Sequence, residues 1–178
     1  MLDKMNLEQK LCELPIFQYA FLNTGRIVFS ERVRKICETD CSMYGKSRSC
    51  PPAVGTVEQC REKCLCYPEA LVITTAWEVS EADHFEQLQK SRREHQKITR
   101  RTAELLKEQA KDVLVLSAEA CAYCEKCTWP DGACRYPEQM LPCVESYGIL
   151  VTDVAEKCGL ELLSGRTVCW LSILFYKA

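Results

Sequence analysis

The sequence predicts an α/β protein of the α+β kind, a two-layer sandwich with a mixed sheet of four or five strands and helices on one side. Three observations support this class: apolar runs of strand length, capping-box patterns that open helices between them, and 14 cysteines grouped mostly in two loops. Strands that alternate with helices favour a layered α/β architecture. The strand order does not follow from the sequence, and a ferredoxin-like arrangement is the simplest candidate.

The first half of the chain is predicted to contain two strands and two helices. Residues 15–22 form an aromatic and β-branched run that ends at a turn, which indicates a strand, and residues 27–29 are predicted to be a second short strand. Residues 31–37 have apolar side chains at helical spacing. Thr56 and Gln59 fit a capping box, which predicts a helix that ends near residues 67–68.

The middle of the chain is predicted to form two buried strands separated by a long helix. Residues 70–77 and 113–118 are continuous apolar runs of strand length. A second capping-box pattern at residues 80–83 opens a helix that nothing interrupts before residue 111. His84 and His95 lie on this helix among polar residues, so we interpret them as part of a solvated face.

The last part of the chain is predicted to contain two short helices and two closing strands. The helices cover residues 138–147 and 152–158, and each is followed by a glycine suited to a helix C-cap. The strands cover residues 160–163 and 168–176. Because the chain has 178 residues, residues 1–178 are interpreted as one domain with its own hydrophobic core.

Charge and hydropathy exclude several classes of protein. The formal net charge is −2, without the basic excess of nucleic-acid-binding proteins, so nucleic acid is not expected as a partner. The N-terminal segment MLDKMNLEQKLCELP carries scattered charges and has no apolar core of the kind that signal peptides have. No apolar run approaches the ~20 residues that a membrane-spanning helix needs. We therefore expect a cytoplasmic protein that does not bind a membrane.

The later cysteine-rich segment has the ligand spacing of a metal centre. Cys121, Cys124 and Cys127 form a CxxCxxC pattern, which brings three thiols around one small site, as in bacterial ferredoxins. Residues 129–132, Trp-Pro-Asp-Gly, favour a type I turn that returns Cys134 as a fourth ligand. Four thiolates suit a [4Fe–4S] cluster, and a tetrahedral zinc site is the alternative. Cys143 is interpreted as a packed thiol outside the site.

The earlier cysteine-rich segment is less regular. Cys37, Cys41 and Cys50 lie in a loop without periodicity, and Cys50 is followed by two prolines, as at the end of ferredoxin ligand runs. Cys60 is the expected fourth ligand, with Cys64 or no protein ligand as alternatives. Inside the same loop, Lys46 and Arg48 are candidate cofactor-binding residues whose charge would stabilise a thiolate-bound cluster.

Two of these patterns together resemble a known family. The pattern CxxxCxxYGKxxxCPP, followed by CxxCxxCxxPDGxCRYPE and YGIxV, is similar to the predicted metal-binding proteins found widely in anaerobic bacteria and archaea and catalogued as domain of unknown function 2284. The resemblance covers about residues 17–163. It implies a metal, with iron–sulfur favoured, and no settled reaction. It supports seven cysteines as ligands: Cys37, Cys41, Cys50, Cys121, Cys124, Cys127 and Cys134.

These observations predict a cytoplasmic iron–sulfur protein with one or two [4Fe–4S] clusters that transfers electrons to or from a partner enzyme. One alternative is a zinc-stabilised structural or interaction module, in which the metal contributes folding energy. Another is a redox enzyme whose cluster at Cys37, Cys41 and Cys50 has an open iron for substrate. Whether the protein is an enzyme, which protein is its redox partner and what its oligomeric state is do not follow from the sequence.

Overall fold

The computed structural model describes residues 2–80, 84–163 and 165–178. Five helices and four strands follow one another along these residues: α1 Lys4–Leu11, β1 Gln18–Asn23, α2 Glu31–Thr39, α3 Val57–Leu65, β2 Glu69–Glu78, α4 His84–Lys107, β3 Asp112–Leu116, α5 Val151–Cys158 and β4 Thr167–Lys177. The predicted α/β class with four strands is confirmed. Short 3₁₀ helices lie at Thr24–Arg26, Pro137–Gln139 and Glu145–Tyr147.

The four strands form one open sheet in the order β1-β2-β4-β3. All three neighbouring pairs are antiparallel, whereas the sequence predicted a mixed sheet. The difference arises because β4, the last strand, lies between β2 and β3. These two strands run in the same direction on either side of it, and α4 connects them. This is a split βαβ unit, and the order of the remaining elements differs from the ferredoxin-like candidate.

Helices cover both faces of the sheet, so the fold has three layers where the sequence predicted two. Val72 and Ile173 face a core shared with α3 and α5. Leu71 and Leu174, which are neighbours of those residues in β2 and β4, face a second core shared with α1 and α4. Successive side chains of a strand point to opposite faces. The continuous apolar runs of the central strands therefore require cover on both sides.

Local signals placed most helices correctly. Ser30 caps α2, and Thr56 and Gln59 form the expected capping box at the start of α3. Gly148 and Gly159 both adopt the left-handed conformation, as expected for residues that end a helical turn. The first residues of the predicted α4 pattern, at positions 81–83, lie outside the described residues.

Three predicted elements are absent from the described residues, and α1 was not predicted. Residues 27–29 contribute only an isolated bridge between Phe29 and Ile149. Residues 138–147 form two short 3₁₀ helices in place of an α-helix, because Pro142 interrupts the segment and has no N–H to donate. Residues 160–163 are not a strand; this segment follows directly on the C-cap of α5.

His95 is buried, contrary to its interpretation as a surface residue. Its Nδ1 lies 2.9 Å from Thr75 Oγ1 and its Nε2 lies 2.7 Å from Ser172 Oγ, so both ring nitrogens are satisfied between α4 and the sheet. Burial lowers the pKa of His95 to about 3 because the charged imidazolium would lose its hydration. Among the described residues, no helix combines the length and the apolar character needed to cross a bilayer.

Candidate metal centre

Two long loops meet beside the carboxyl end of β3. The early loop follows α2 and covers residues 40–55, and the late loop follows β3 and covers residues 117–150. Ser49 joins them, because its Oγ accepts a hydrogen bond from Cys121 N at 2.8 Å and its carbonyl oxygen accepts one from Cys143 N at 3.0 Å. The cysteines of both loops are thus held on one side of the sheet edge.

The structure brings the four cysteines of the late loop around one cavity. Cys121, Cys124, Cys127 and Cys134 all line this cavity of about 30 Å³, and we refer to it as the four-thiol cavity. All four side chains are half-buried and none is in a disulfide. A cavity lined by four thiols is a donor set suited to thiophilic metals.

A tight turn returns Cys134 to this cavity. The backbone N–H of Gly132 donates to the carbonyl oxygen of Thr128 at 2.8 Å, and the Thr128 hydroxyl donates to the carbonyl oxygen of Ala133 at 2.6 Å. This turn is one residue wider than the type I turn that the sequence predicted, since a type I turn joins residues three apart. The wider closure still reverses the chain between Cys127 and Cys134.

Cys127 receives the strongest local stabilisation as a thiolate. The backbone N–H of Arg48 donates to its Sγ at 3.5 Å. Burial raises the pKa of Cys127, but hydrogen bonds from the backbone N–H groups of Arg48 and Trp129, with smaller contributions from Ser47 and the Arg48 charge, bring it below its ordinary value. The late loop therefore presents at least one thiol that is prepared for metal ligation, since the thiolate is the metal ligand.

Arg48 fastens the early loop against the four-thiol cavity. Its Nη2 donates to the carbonyl oxygen of Gly132 at 2.5 Å, and its guanidinium lies 4.9 Å from the centre of the Trp129 ring. Its Nε is buried and has no hydrogen-bond partner among the described residues. Arg48 lines the cavity, whereas Lys46 is exposed and does not. Of the two candidate cofactor-binding residues, Arg48 is thus the one placed beside the thiols.

A second arginine reaches the same thiols from α4. Arg100 Nε donates to the carbonyl oxygen of Gln139 at 2.9 Å, and its guanidinium lies 4.9 Å from the centre of the Tyr123 ring. Its charge interacts favourably with Cys121. Two cations therefore lie close to a site that would hold four negative thiolates.

The early cysteines form a separate group. Cys37, near the end of α2, and Cys50 are buried, while Cys41 is exposed. The three are close enough for their charges to interact. Burial, with smaller contributions from Cys41 and Cys37, raises the pKa of the Cys50 thiol to about 11. Without a bound cation, this thiol stays protonated near neutral pH.

The structure places Cys60 and Cys64 away from this early group. Both are fully buried in the apolar core between the sheet and α3. Cys60 Sγ donates to the carbonyl oxygen of Val54 at 3.5 Å and lies 3.8 Å from Arg34 Nη2. Burial raises the pKa of the Cys64 thiol. Neither residue is brought together with Cys37, Cys41 and Cys50.

Cys143, interpreted from the sequence as a packed thiol, lies beside the early group. It packs against Cys50 and Ala120 in a small buried cluster, and its Sγ donates to Glu145 Oε2 at 2.9 Å. The only sequence signal for it was a proline before the cysteine, which has little specificity. Within the described parts of the chain, no three His, Cys, Asp or Glu side chains lie close enough to bind one metal ion.

Comparison with known proteins identifies the family. Searches of curated proteins and of solved structures gave no significant match. The profile of the predicted metal-binding proteins of DUF2284 matches residues 20–176, which include both cysteine-rich loops and the whole sheet apart from two residues of β1 and one of β4. The match covers most of the chain, and the resemblance found in the sequence is confirmed. The chain belongs to the DUF2284 family of predicted metal-binding proteins.

Proposed function

We propose that the protein is a cytoplasmic iron–sulfur protein that transfers single electrons to or from a partner protein. Its cluster is a [4Fe–4S] centre with four ligands: Cys121, Cys124, Cys127 and Cys134. The observation that carries this proposal is that the four thiols, spread over two turns of one loop, line a single cavity. The CxxCxxC spacing within that loop is the spacing of bacterial ferredoxin ligands.

The arrangement of the thiols favours a cluster over zinc. In a [4Fe–4S] cluster each thiolate binds a different iron, so the ligands stand around the inorganic core. A zinc ion needs all four sulfurs at about 2.3 Å from one point. Thiols distributed around a cavity match the first geometry better, and we therefore place zinc second, as a structural alternative.

The surroundings of the cavity suit a negatively charged cluster. Arg48 and Arg100 bring two positive charges to the thiols, and the Arg48 N–H donates to Cys127. Hydrogen bonds to ligand sulfurs and nearby cations raise the reduction potential of an iron–sulfur cluster, because they stabilise its more negative reduced form. The orphan Arg48 Nε supplies one further donor in this position.

Electron transfer requires the cluster to supply one-electron chemistry and the protein to hold it near a docking surface. Tyr123 and Tyr136 both line the four-thiol cavity and are exposed, with ring centres 5.0 Å apart. Exposed aromatic pairs are frequent at protein interfaces. We propose that the partner protein docks over these two rings. This role requires no residue to act as an acid or a base.

The test is anaerobic purification followed by a visible absorption spectrum and assays of iron, acid-labile sulfide and zinc. A brown protein that contains iron and sulfide, and that changes absorbance on reduction with dithionite, is expected. Cys124→Ser should lose the cluster of the four-thiol cavity. Cys66→Ser is the matched control, because Cys66 is exposed at the end of α3 and does not line the cavity. A colourless protein with stoichiometric zinc would contradict the proposal and support the structural module.

A further inference from the structure

Four thiols from three separate parts of the chain meet behind the early loop. Cys50 and Cys143 pack together with Ala120 in one buried cluster, against which Met43 rests. The pair is held by backbone contact, because Cys143 N donates to the carbonyl oxygen of Ser49 at 3.0 Å. The charge of Cys50 also interacts with those of Cys41 and Cys37, so all four thiols belong to one neighbourhood.

The position of Cys37 follows from the packing of α2. Arg34, one turn before Cys37, is buried, and its guanidinium donates to the carbonyl oxygens of Gly55, at 2.7 Å, and Ser146. These bonds tie α2 to the 3₁₀ helix Glu145–Tyr147, which begins two residues after Cys143. The charge of Cys37 accordingly interacts with Glu145, the residue whose carboxylate also holds the Cys143 thiol.

From this geometry we infer that the protein has a second metal centre and that Cys143, not Cys60 or Cys64, completes it. The four donors of this second centre are Cys37, Cys41, Cys50 and Cys143. The inference rests on the proposed function, since the same iron–sulfur assembly supplies the metal. With four thiolates, the second centre has no open position for substrate, so it serves electron transfer like the first.

Cys60 is a poor donor because its present contacts hold it elsewhere. Its thiol donates to the Val54 carbonyl and lies beside Arg34, inside the apolar core between α3 and the sheet. To reach Cys50 it would have to leave a site in which it has no solvent exposure. Cys143, by contrast, already packs against Cys50, and the hydrogen bond from its thiol to Glu145 holds its Sγ in place.

The two centres are joined by one short segment, Ser47 to Cys50. Ser49 Oγ lies 3.7 Å from Cys50 Sγ and accepts a hydrogen bond from the backbone N–H of Cys121 at 2.8 Å. Ser47 Oγ lies 2.8 Å from Ser49 Oγ, and the next residue, Arg48, donates its N–H to Cys127 Sγ. The second centre is therefore adjacent to the first and passes electrons to it.

The experiment measures metal and acid-labile sulfide per chain after anaerobic purification. For the wild type we expect about eight iron atoms per chain, and for Cys143→Ser about four, a two-fold loss. Cys60→Ser is the matched control, because Cys60 is equally buried and is the rival donor. It should retain all of its metal. If Cys60→Ser loses half of the metal and Cys143→Ser none, the assignment of Cys143 is overturned.

A second variant keeps the test decisive if Cys143→Ser does not fold. Cys41 is exposed, so Cys41→Ser removes one donor without opening a cavity, and Cys12→Ser is its exposed control far along the sequence. Cys41→Ser should show the same two-fold loss, and full retention of metal would overturn the second centre. Failure of the proposed function is distinguishable. A zinc protein would carry no sulfide but would still show the two-fold loss of metal, whereas an iron–sulfur protein with only four irons, all lost in Cys124→Ser, would refute the second centre alone.

Discussion

The backbone N–H of Arg48 donates to Cys127 Sγ at 3.5 Å, although the two residues are 79 positions apart. This contact joins the early loop to the four-thiol cavity. The Arg48 side chain strengthens the same junction through Gly132 and Trp129. The early loop therefore forms part of the wall of the late site, and changes in Arg48 report on that site directly.

Arg48→Ala is expected to make the reduction potential of the four-thiol cluster more negative. Removing the guanidinium takes away a positive charge that stabilises the reduced cluster, at a cost of roughly 1.4 kcal/mol, which corresponds to about 60 mV for one electron. A redox titration followed by absorbance measures the shift. Lys46→Ala is the control, because Lys46 carries the same charge in the same loop but is exposed and does not line the cavity. Equal shifts in both variants would contradict a specific role for Arg48.

Removal of the metal is expected to loosen the two loops and leave the sheet intact. The cores on both faces of β2 and β4 are built from apolar side chains and do not include the thiols of the four-thiol cavity. Loops that are held by metal ligation lose that free energy when the metal leaves. Hydrogen exchange of the chelated protein should show faster exchange in residues 40–55 and 117–150 only. Loss of protection in β2 and β4 as well would show that the metal supports the whole fold.

His95 is expected to make the protein less stable as the pH falls. Its pKa is about 3 in the folded protein and about 6.5 when unfolded, so below pH 6.5 the unfolded chain binds a proton that the folded chain does not. The free energy of unfolding should then fall by up to roughly 1.4 kcal/mol per pH unit until the pH nears 3.

Urea denaturation at several pH values measures this contribution. In His95→Gln, which retains hydrogen-bonding groups toward Thr75 and Ser172, the dependence on pH between 6.5 and 4 should be shallower than in the wild type. His84→Gln is the control, because His84 is exposed at the start of the same helix. An unchanged slope in His95→Gln would show that His95 is not the group responsible.

Gly148→Ala is expected to destabilise the segment behind the second group of cysteines. Gly148 has φ +78°, and an added Cβ would lie 2.9 Å from Val57 Cγ1 and 3.0 Å from the Ser30 carbonyl oxygen. The combined backbone strain and overlap should cost about 2–4 kcal/mol in the free energy of unfolding. Gly159→Ala is the control, because Gly159 has φ +66° but open space around it, so only the backbone cost of about 1 kcal/mol applies. Chemical denaturation measures both, and equal losses would exclude a steric effect at Gly148.

Much of the fold was predictable because its signals are local. The capping box at Thr56, the serine before α2 and the left-handed glycine after α5 act within a few residues of the chain. The elements that were predicted wrongly lacked such signals. Residues 138–147 were interpreted as a helix from their composition, although Pro142 removes an N–H from the middle of the segment.

The candidate site divides in the same way. The spacing of Cys121, Cys124 and Cys127 indicated a common site because a short loop limits how far apart these thiols can lie. The neighbour of Cys50 was not predictable, because Cys60 is nearer in the sequence while Cys143 is nearer in the fold. The burial of His95 was missed because polar residues surround it along the helix, and only the packing of α4 on the sheet shows which of them face inward.

The sequence by itself determined the α/β class, the helix boundaries marked by caps, the membership of a metal-binding family and the four thiols of the late loop. Each depends on spacings or periodicities within a short segment. The tertiary structure decided that β4 lies between β2 and β3, that helices cover both faces, and that Arg48 and Cys143 join thiols from distant segments. These relationships arise from long-range packing of apolar surfaces and from buried hydrogen bonds, which bring together residues that no local pattern connects.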